Sequence, residues 1–190
     1  LEFVELFATK SSRIDLLNET SPYFFRIVED VLWENITLGI ARLTDLPQSF
    51  NKDNLTICKI PEYITDIDFK NKITEAINNA KTATSFCRDW RNRRFAHLDY
   101  LLSTNKETKQ LELAKREKTK NALSSIANVL NLLSYKYSNS TTAYDFAGGT
   151  PGNVNSLLYY LHYGLKSEKE KTERMSNCKE LPDDFDHPDI

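Results

Sequence analysis

Glycine is scarce in this 190-residue sequence: there are five, and three of them gather in Gly148-Gly149 and Gly152. Neither GxGxxG nor GxxxxGK followed by Ser or Thr is present, which removes the usual phosphate-cradling loops of dinucleotide and nucleoside-triphosphate sites. Long apolar runs are also missing. None approaches the roughly 18 residues a membrane span needs, so no membrane partner is expected. The three cysteines, Cys58, Cys87 and Cys178, lie far apart and form no CxxC pair. They read as reduced thiols of a cytoplasmic protein. The three histidines, His97, His162 and His187, have no ligand-like spacing, so neither a metal nor another cofactor is expected. A net charge of −2 gives no global attraction to nucleic acid, and any anion site must be a local patch.

What remains is helical. Apolar residues make up 40% and charged residues 27%, values that suit a globular core. No segment keeps a period-2 alternation and there is no internal repeat. Residues 1–9 read as a short amphipathic helix. Ser21-Pro22 is a helix start, with Ser before Pro at the first helical position. The helix that follows runs to about Asp45, apolar over more than half its circumference, and is expected to be central. Residues 46–64 carry two prolines and read as a connection with one helical turn. A long helix is expected over about 66–98, with Phe69, Ile73, Ile77, Ala80, Thr84 and Cys87 on one side. Two more follow, over about 119–137 (Ala122, Ile126, Val129, Leu133) and 155–173 (Leu157, Leu158, Leu161, Leu165). The expectation is one all-α domain over residues 1–176 and an acidic, mobile tail over 177–190. The chain opens on Leu1 rather than Met, so a few preceding residues are expected to be missing. Four Asn-x-Ser/Thr triplets, at Asn18, Asn35, Asn54 and Asn139, are chance matches in an Asn-rich chain.

One segment breaks the pattern. Arg88, Arg91, Arg93 and Arg94 place four arginines in seven residues, and His97 and Asp99 follow. On a straight helix of about 100° per residue, with Ile73 at zero, Arg91 falls at about 0° and Arg94 at about 300°, both on the core side. His97 falls at about 240°, at the edge of that face, and Arg93 at about 200°, pointing away. Inward arginines need partners, because an unpaired buried guanidinium is costly. Guanidinium offers phosphate a planar fork of donors, and imidazole exchanges protons near neutrality. With the amide of Asn92, these groups suit metal-free cleavage of an RNA phosphodiester. Arg91 and His97 diverge by about 120° on one straight helix, so they converge only if the helix loosens or two copies meet at a two-fold axis. A plainer alternative stays open: arginines near a helix C-terminus favour the macrodipole, Arg88 pairs with Asp89 or Asp99, and His97 caps the end.

The residues Arg91-Asn92-Arg93-Arg94-Phe95-Ala96-His97 fit the Arg-x(4–6)-His motif of HEPN domains, with a polar residue directly after the arginine. Phe3-Val4-Glu5-Leu6-Phe7, Asp15-Leu16-Leu17-Asn18, Ser21-Pro22-Tyr23-Phe24-Phe25, Leu32-Trp33, Ala41-Arg42-Leu43-Thr44-Asp45 and Arg88-Asp89-Trp90-Arg91-Asn92 surround it in order. Over most of residues 3–165 the chain resembles the abortive-infection AbiU-like HEPN branch. The resemblance implies a HEPN-like bundle of about four to five helices, a homodimer, and a metal-independent endoribonuclease of phage defence or a toxin–antitoxin system. It makes Arg91 and His97 the catalytic pair with Asn92 as polar helper, and Arg88, Arg93 and Arg94 become candidate RNA contacts. RNA is the expected substrate, with an antitoxin or regulatory protein as a further partner. Leu98-Asp99 after His97 departs from the His-x-Tyr form, so control through that tyrosine is not expected.

Two rivals stay in view: a non-catalytic HEPN module that binds RNA or a protein partner, and a structural domain in which the cluster only seals a dimer interface. Cys87, one turn before Arg91, reads as core rather than nucleophile. Tyr159, Tyr160 and Tyr163 around His162 read as packing rather than a base-stacking platform. Lys115, Arg116, Lys118 and Lys120 read as a solvated face able to extend an RNA track.

Overall fold

The computed structural model describes residues 2–7, 10–49, 51–95, 111–144 and 152–185. The fold is all-α. Its helices are α1 (Glu2–Phe7), α2 (Ser11–Thr20), α3 (Pro22–Leu43), α4 (Ile67–Ala83), α5 (Ser85–Trp90), α6 (Arg116–Ser138) and α7 (Val154–Ser176). A two-residue antiparallel pair, β1 (Gln48–Ser49) with β2 (Lys52–Asp53), and a 3₁₀ turn (Ile57–Tyr63) fill the expected connection after α3. No described helix is long and apolar enough to cross a membrane. The chain divides into two compact units, residues 1–31 with 145–190 and residues 32–144, the boundary falling inside α3.

In the first unit, α1 and α2 pack on α7. Leu6, Leu17, Phe25 and Leu158 form its core. The start of α7 is capped twice: Asn153 accepts from the Ser156 amide at 3.2 Å, and Glu2 accepts from the Val154 amide at 2.8 Å. Acids belong there, because the first turn of a helix has unsatisfied N–H groups and a positive dipole end. Arg13 binds the carboxylate of Glu5 at 2.6 Å and also its carbonyl. Leu158 is buried as expected, but its neighbour Leu157 is 41% exposed. Phe24, Ile27 and Val31 on α3 are also exposed, so this stretch of the helix is not the enclosed centre its composition implies.

Beyond α7, the stretch from residue 177 contains a 3₁₀ turn at Pro182–Phe185. Asp184 there is buried and clasped by Arg174 through Nη2 and Nε, and it accepts the Leu181 amide at 2.9 Å.

In the second unit, α4 packs along α6. Phe69, Ile73, Ile77, Ala80, Phe86 and Cys87 meet Ala122, Ile126 and Val129 in one cluster, matching the faces read from periodicity. Asp66 caps α4 by accepting from the Phe69 amide at 3.1 Å, and Lys136 near the end of α6 reaches the same carboxylate at 2.8 Å. Asn139 ends α6 in the left-handed conformation, φ 47°, ψ 39°, where asparagine is tolerated.

The expected long helix over 66–98 is not continuous. It breaks at Thr84, whose hydroxyl turns back to the Ala80 carbonyl at 2.9 Å, and it restarts as α5. From Arg91 to Phe95 it widens into a π turn. Thr side chains that bond the carbonyl four residues back commonly bend helices, and a π turn, with i→i+5 bonding, shifts the phase of everything after it.

Arg174 holds the Asp184 carboxyl down at a pKa of about 2, through the hydrogen bond first and the Leu181 amide second. Its folded pKa lies below the ordinary value of 3.8, so the clasp contributes fully above that value and is lost as pH falls through about 2. The Leu181 amide resonance should titrate with a midpoint near 2, and Asp184→Asn should abolish that titration.

Candidate functional site

The site lies within the second unit, where the ends of α3 and α4 meet α5 and the π turn. Both helix ends leave carbonyl groups without intrahelical partners. Arg88 supplies them. Its Nη1 donates to the Thr44 carbonyl at 2.9 Å and to the Thr44 hydroxyl at 3.1 Å, and its Nη2 donates to the Lys81 carbonyl at 2.6 Å. Beneath it the Thr44 and Thr84 hydroxyls stand 3.0 Å apart, both buried. The Thr56 hydroxyl lies 2.9 Å from the carbonyls of both Leu43 and Asp45 and shares its one hydrogen between them, which fixes the chain on either side of Thr44.

Asp45, next in line, faces Arg91. The Arg91 Nη1 lies 2.6 and 2.7 Å from the two carboxylate oxygens, and its Nε donates to the Asn92 Oδ1 at 3.0 Å. Among the described residues Nη2 of Arg91 has no partner. The two side chains are 25% and 26% exposed, so the ion pair is neither sealed nor freely solvated.

Asp89 and Trp90 hold the strand of chain before α6. Asp89 accepts from the Glu112 amide at 3.1 Å, and the Trp90 indole donates to the Glu112 carbonyl at 2.8 Å. The Trp90 ring stands edge-on to Trp33 at 6.0 Å and tilted to Phe95 at 5.8 Å. Such aromatic contacts add about 0.5–1.5 kcal/mol beyond area burial.

The structure therefore brings Arg91, Asn92 and Asp45 together and spends Arg88 on helix ends. Arg93, expected to point away, is half-buried and reaches Asp89 at 3.5 Å, whereas Arg94, expected inward, is exposed. The straight-helix wheel fails here because α4 ends at Thr84 and the π turn changes the phase again. His97 and Asp99 lie outside the described residues. The partner of Arg91 was missed by sequence reasoning: Asp45 is 46 positions away, and no spacing signals it.

Cys87 is fully buried, and burial pushes its thiol pKa up to about 12, so it stays protonated and cannot serve as nucleophile. Among the described residues no group of three His, Cys, Asp or Glu side chains is placed to hold a metal ion. Lys115, Arg116 and Lys120 are exposed, and Lys118 pairs with Glu112 at 2.6 Å.

In the first unit, Tyr159, Tyr160 and Tyr163 are exposed, and the Tyr159 ring meets each of the other two. An open cleft of about 420 Å³ runs between α2 and α7, with Asp15, Glu19, His162, Lys166 and Lys169 along it. Its charges are mixed, and Lys169 already binds Glu19 at 2.8 Å.

Compared with known proteins, residues 1–150 match the family model HEPN_AbiU2, described as AbiU2. Neither a curated protein nor a solved structure gives a match.

Arg88→Ala should lower stability in urea by about 2–4 kcal/mol, because charged hydrogen bonds to Thr44 and Lys81 are lost and a cavity is left between the two helix ends. Arg94→Ala should stay within about 0.5 kcal/mol of the parent. Native protein should react with a thiol reagent at exposed Cys178 first, and at Cys87 only after unfolding.

Proposed function

The chain belongs to the AbiU2 family of HEPN domains, and on that premise we propose that it is a metal-independent endoribonuclease working from the turn that begins at Arg91. The observation that carries this reading is the state of Arg91. It sits at the start of a π turn, a quarter exposed, its guanidinium held through Nη1 and Nε, with no partner for Nη2 among the described residues. π turns of this kind are frequent at functional sites.

In the proposed reaction an RNA 2′-hydroxyl attacks the adjacent phosphorus. His97 takes its proton, and a second acid, the same group in another copy, protonates the departing 5′-oxygen. The P–O5′ bond breaks, and the products are a 2′,3′-cyclic phosphate and a 5′-hydroxyl. Arg91 stabilises the charge that builds on the phosphoryl oxygens, a contribution typically worth about 10²–10³-fold in rate. Asn92 holds the Arg91 Nε and helps to position the phosphate. Exposed Arg94, with Arg93 beside it, contacts the flanking backbone, and Arg88 serves the site by keeping the helix ends in register. The active species is a homodimer, whose two-fold axis brings two such clusters into one groove. A cytoplasmic role in phage defence, restrained by an antitoxin or regulatory protein, fits this activity.

The existing Arg91–Asp45 ion pair favours one rival, a non-catalytic module that binds RNA or protein, because a guanidinium already facing a carboxylate attracts phosphate less strongly. Purified protein should cleave total RNA in the presence of EDTA and leave cyclic phosphate ends. Arg91→Ala and His97→Ala should each reduce cleavage by about 100-fold or more. Cleavage persisting in both variants rejects the assignment. RNA binding without new ends in the parent selects the non-catalytic module.

A further inference from the structure

We infer that Asp45 is the positioning residue for Arg91, an inference that rests on the ribonuclease reading above and extends its machinery to the end of α3. Arginine has a long side chain with about 2 kcal/mol of rotamer freedom. A guanidinium stabilises a phosphoryl group well only when its plane is fixed before the substrate arrives. Here the plane is fixed from two sides, by Asp45 at Nη1 (2.6 and 2.7 Å) and by Asn92 at Nε (3.0 Å). Asn92 is the next residue in the chain and moves with Arg91. Asp45 comes from the turn that follows α3, so among the described residues it is what ties the guanidinium to the rest of the unit.

The Asp45 platform is itself rigid. Its carbonyl accepts from Thr56, and its amide donates to the Arg42 carbonyl at 3.4 Å. The preceding residue, Thr44, is buried and held by Arg88 and Thr84. The contact of Asp45 with Nη1 is end-on: one nitrogen meets both carboxylate oxygens. Nη2 therefore stays available, whereas a side-on pair across two nitrogens would occupy it. That geometry orients the cation without blocking it.

The experiment uses the full chain with Asp45→Ala, Asp45→Asn and Asp45→Glu, and a fluorescein-labelled single-stranded RNA of mixed sequence. Asp45→Ala should lower kcat by about 100-fold, the loss expected for a misplaced catalytic group, while KM changes by less than about threefold. Asp45→Asn, which preserves shape and one acceptor, should retain more activity than Ala, and Asp45→Glu should recover part of the loss. It also keeps the test usable if the Ala variant does not fold. In parallel, the NMR order parameter of the Arg91 Nε–Hε group, assigned by its loss in Arg91→Lys, should fall in Asp45→Ala.

An unchanged or raised kcat overturns the inference. So does a gain in RNA affinity with the Arg91 order parameter unchanged, which would make Asp45 a competitor for the cation. If the parent protein cleaves no RNA, the ribonuclease reading fails by itself. The NMR measurement then decides the role of Asp45: an order parameter that falls supports it, and one that stays high rejects it.

Discussion

The guanidinium of Arg88 closes the ends of two helices at once, and the neighbouring chemistry is built on that closure. Carbonyls at a helix C-terminus carry partial negative charge and lack partners. Arg88 satisfies one from Thr44, just past α3, and one from Lys81 in the last turn of α4. Each bond to a charged donor contributes about 1.5–3 kcal/mol, more than a neutral pair. With that cation in place the chain just past α3 is held against the end of α4, with Asp45 opposite Arg91. Packing of α4 on α6 holds the unit together, and burial of Ile40 and Ala41 in the same core fixes the end of α3 alongside Arg88.

The four arginines look like one basic patch in sequence, yet their partners divide them. Arg88 serves backbone carbonyls, Arg91 faces Asp45, Arg93 reaches Asp89, and Arg94 is exposed. A local density of positive charge therefore overstates the cation offered to an anionic ligand. Membership of the HEPN AbiU2 family directs attention to Arg91, and the geometry adds the acidic and hydroxyl groups that surround it. These are Thr44 and Asp45 just past α3, Thr56 before the 3₁₀ turn and Thr84 between α4 and α5, and of them only Thr44 and Asp45 fall in a segment that the resemblance marks.

Much of the fold was legible. The buried face of α4, the start of α3 at Pro22 and the inward face of α6 follow from apolar periodicity and helix-start chemistry, both local properties of the chain. The break at Thr84 was not legible, because a threonine on the apolar face looks like one more core residue until its hydroxyl is seen bonded to Ala80 and Thr44. Extending the wheel past that break put Arg94 on the wrong side. The Arg91–Asp45 pair was hidden for a different reason. Contacts between residues 46 apart depend on how helices dock, and docking leaves no period to read.

The paired threonines have one more consequence. Each hydroxyl has a single hydrogen to give. Arginine can only donate, so the Thr44 hydroxyl receives from Arg88, and its own hydrogen faces the Ile40 and Ala41 carbonyls, each at 3.3 Å, and the Thr84 hydroxyl at 3.0 Å. Thr84 has the Ala80 carbonyl at 2.9 Å, the Lys81 carbonyl at 3.3 Å and the Thr44 hydroxyl within reach of its own hydrogen, and either hydroxyl can donate across the pair. Two hydrogens thus serve the hydroxyl pair and the carbonyls around it, and the Arg88 guanidinium supplies a further donor whichever way the pair is polarised. A neutral amide in place of Arg88 could turn its oxygen toward Thr44, and the donor that the cation always presents would no longer be assured.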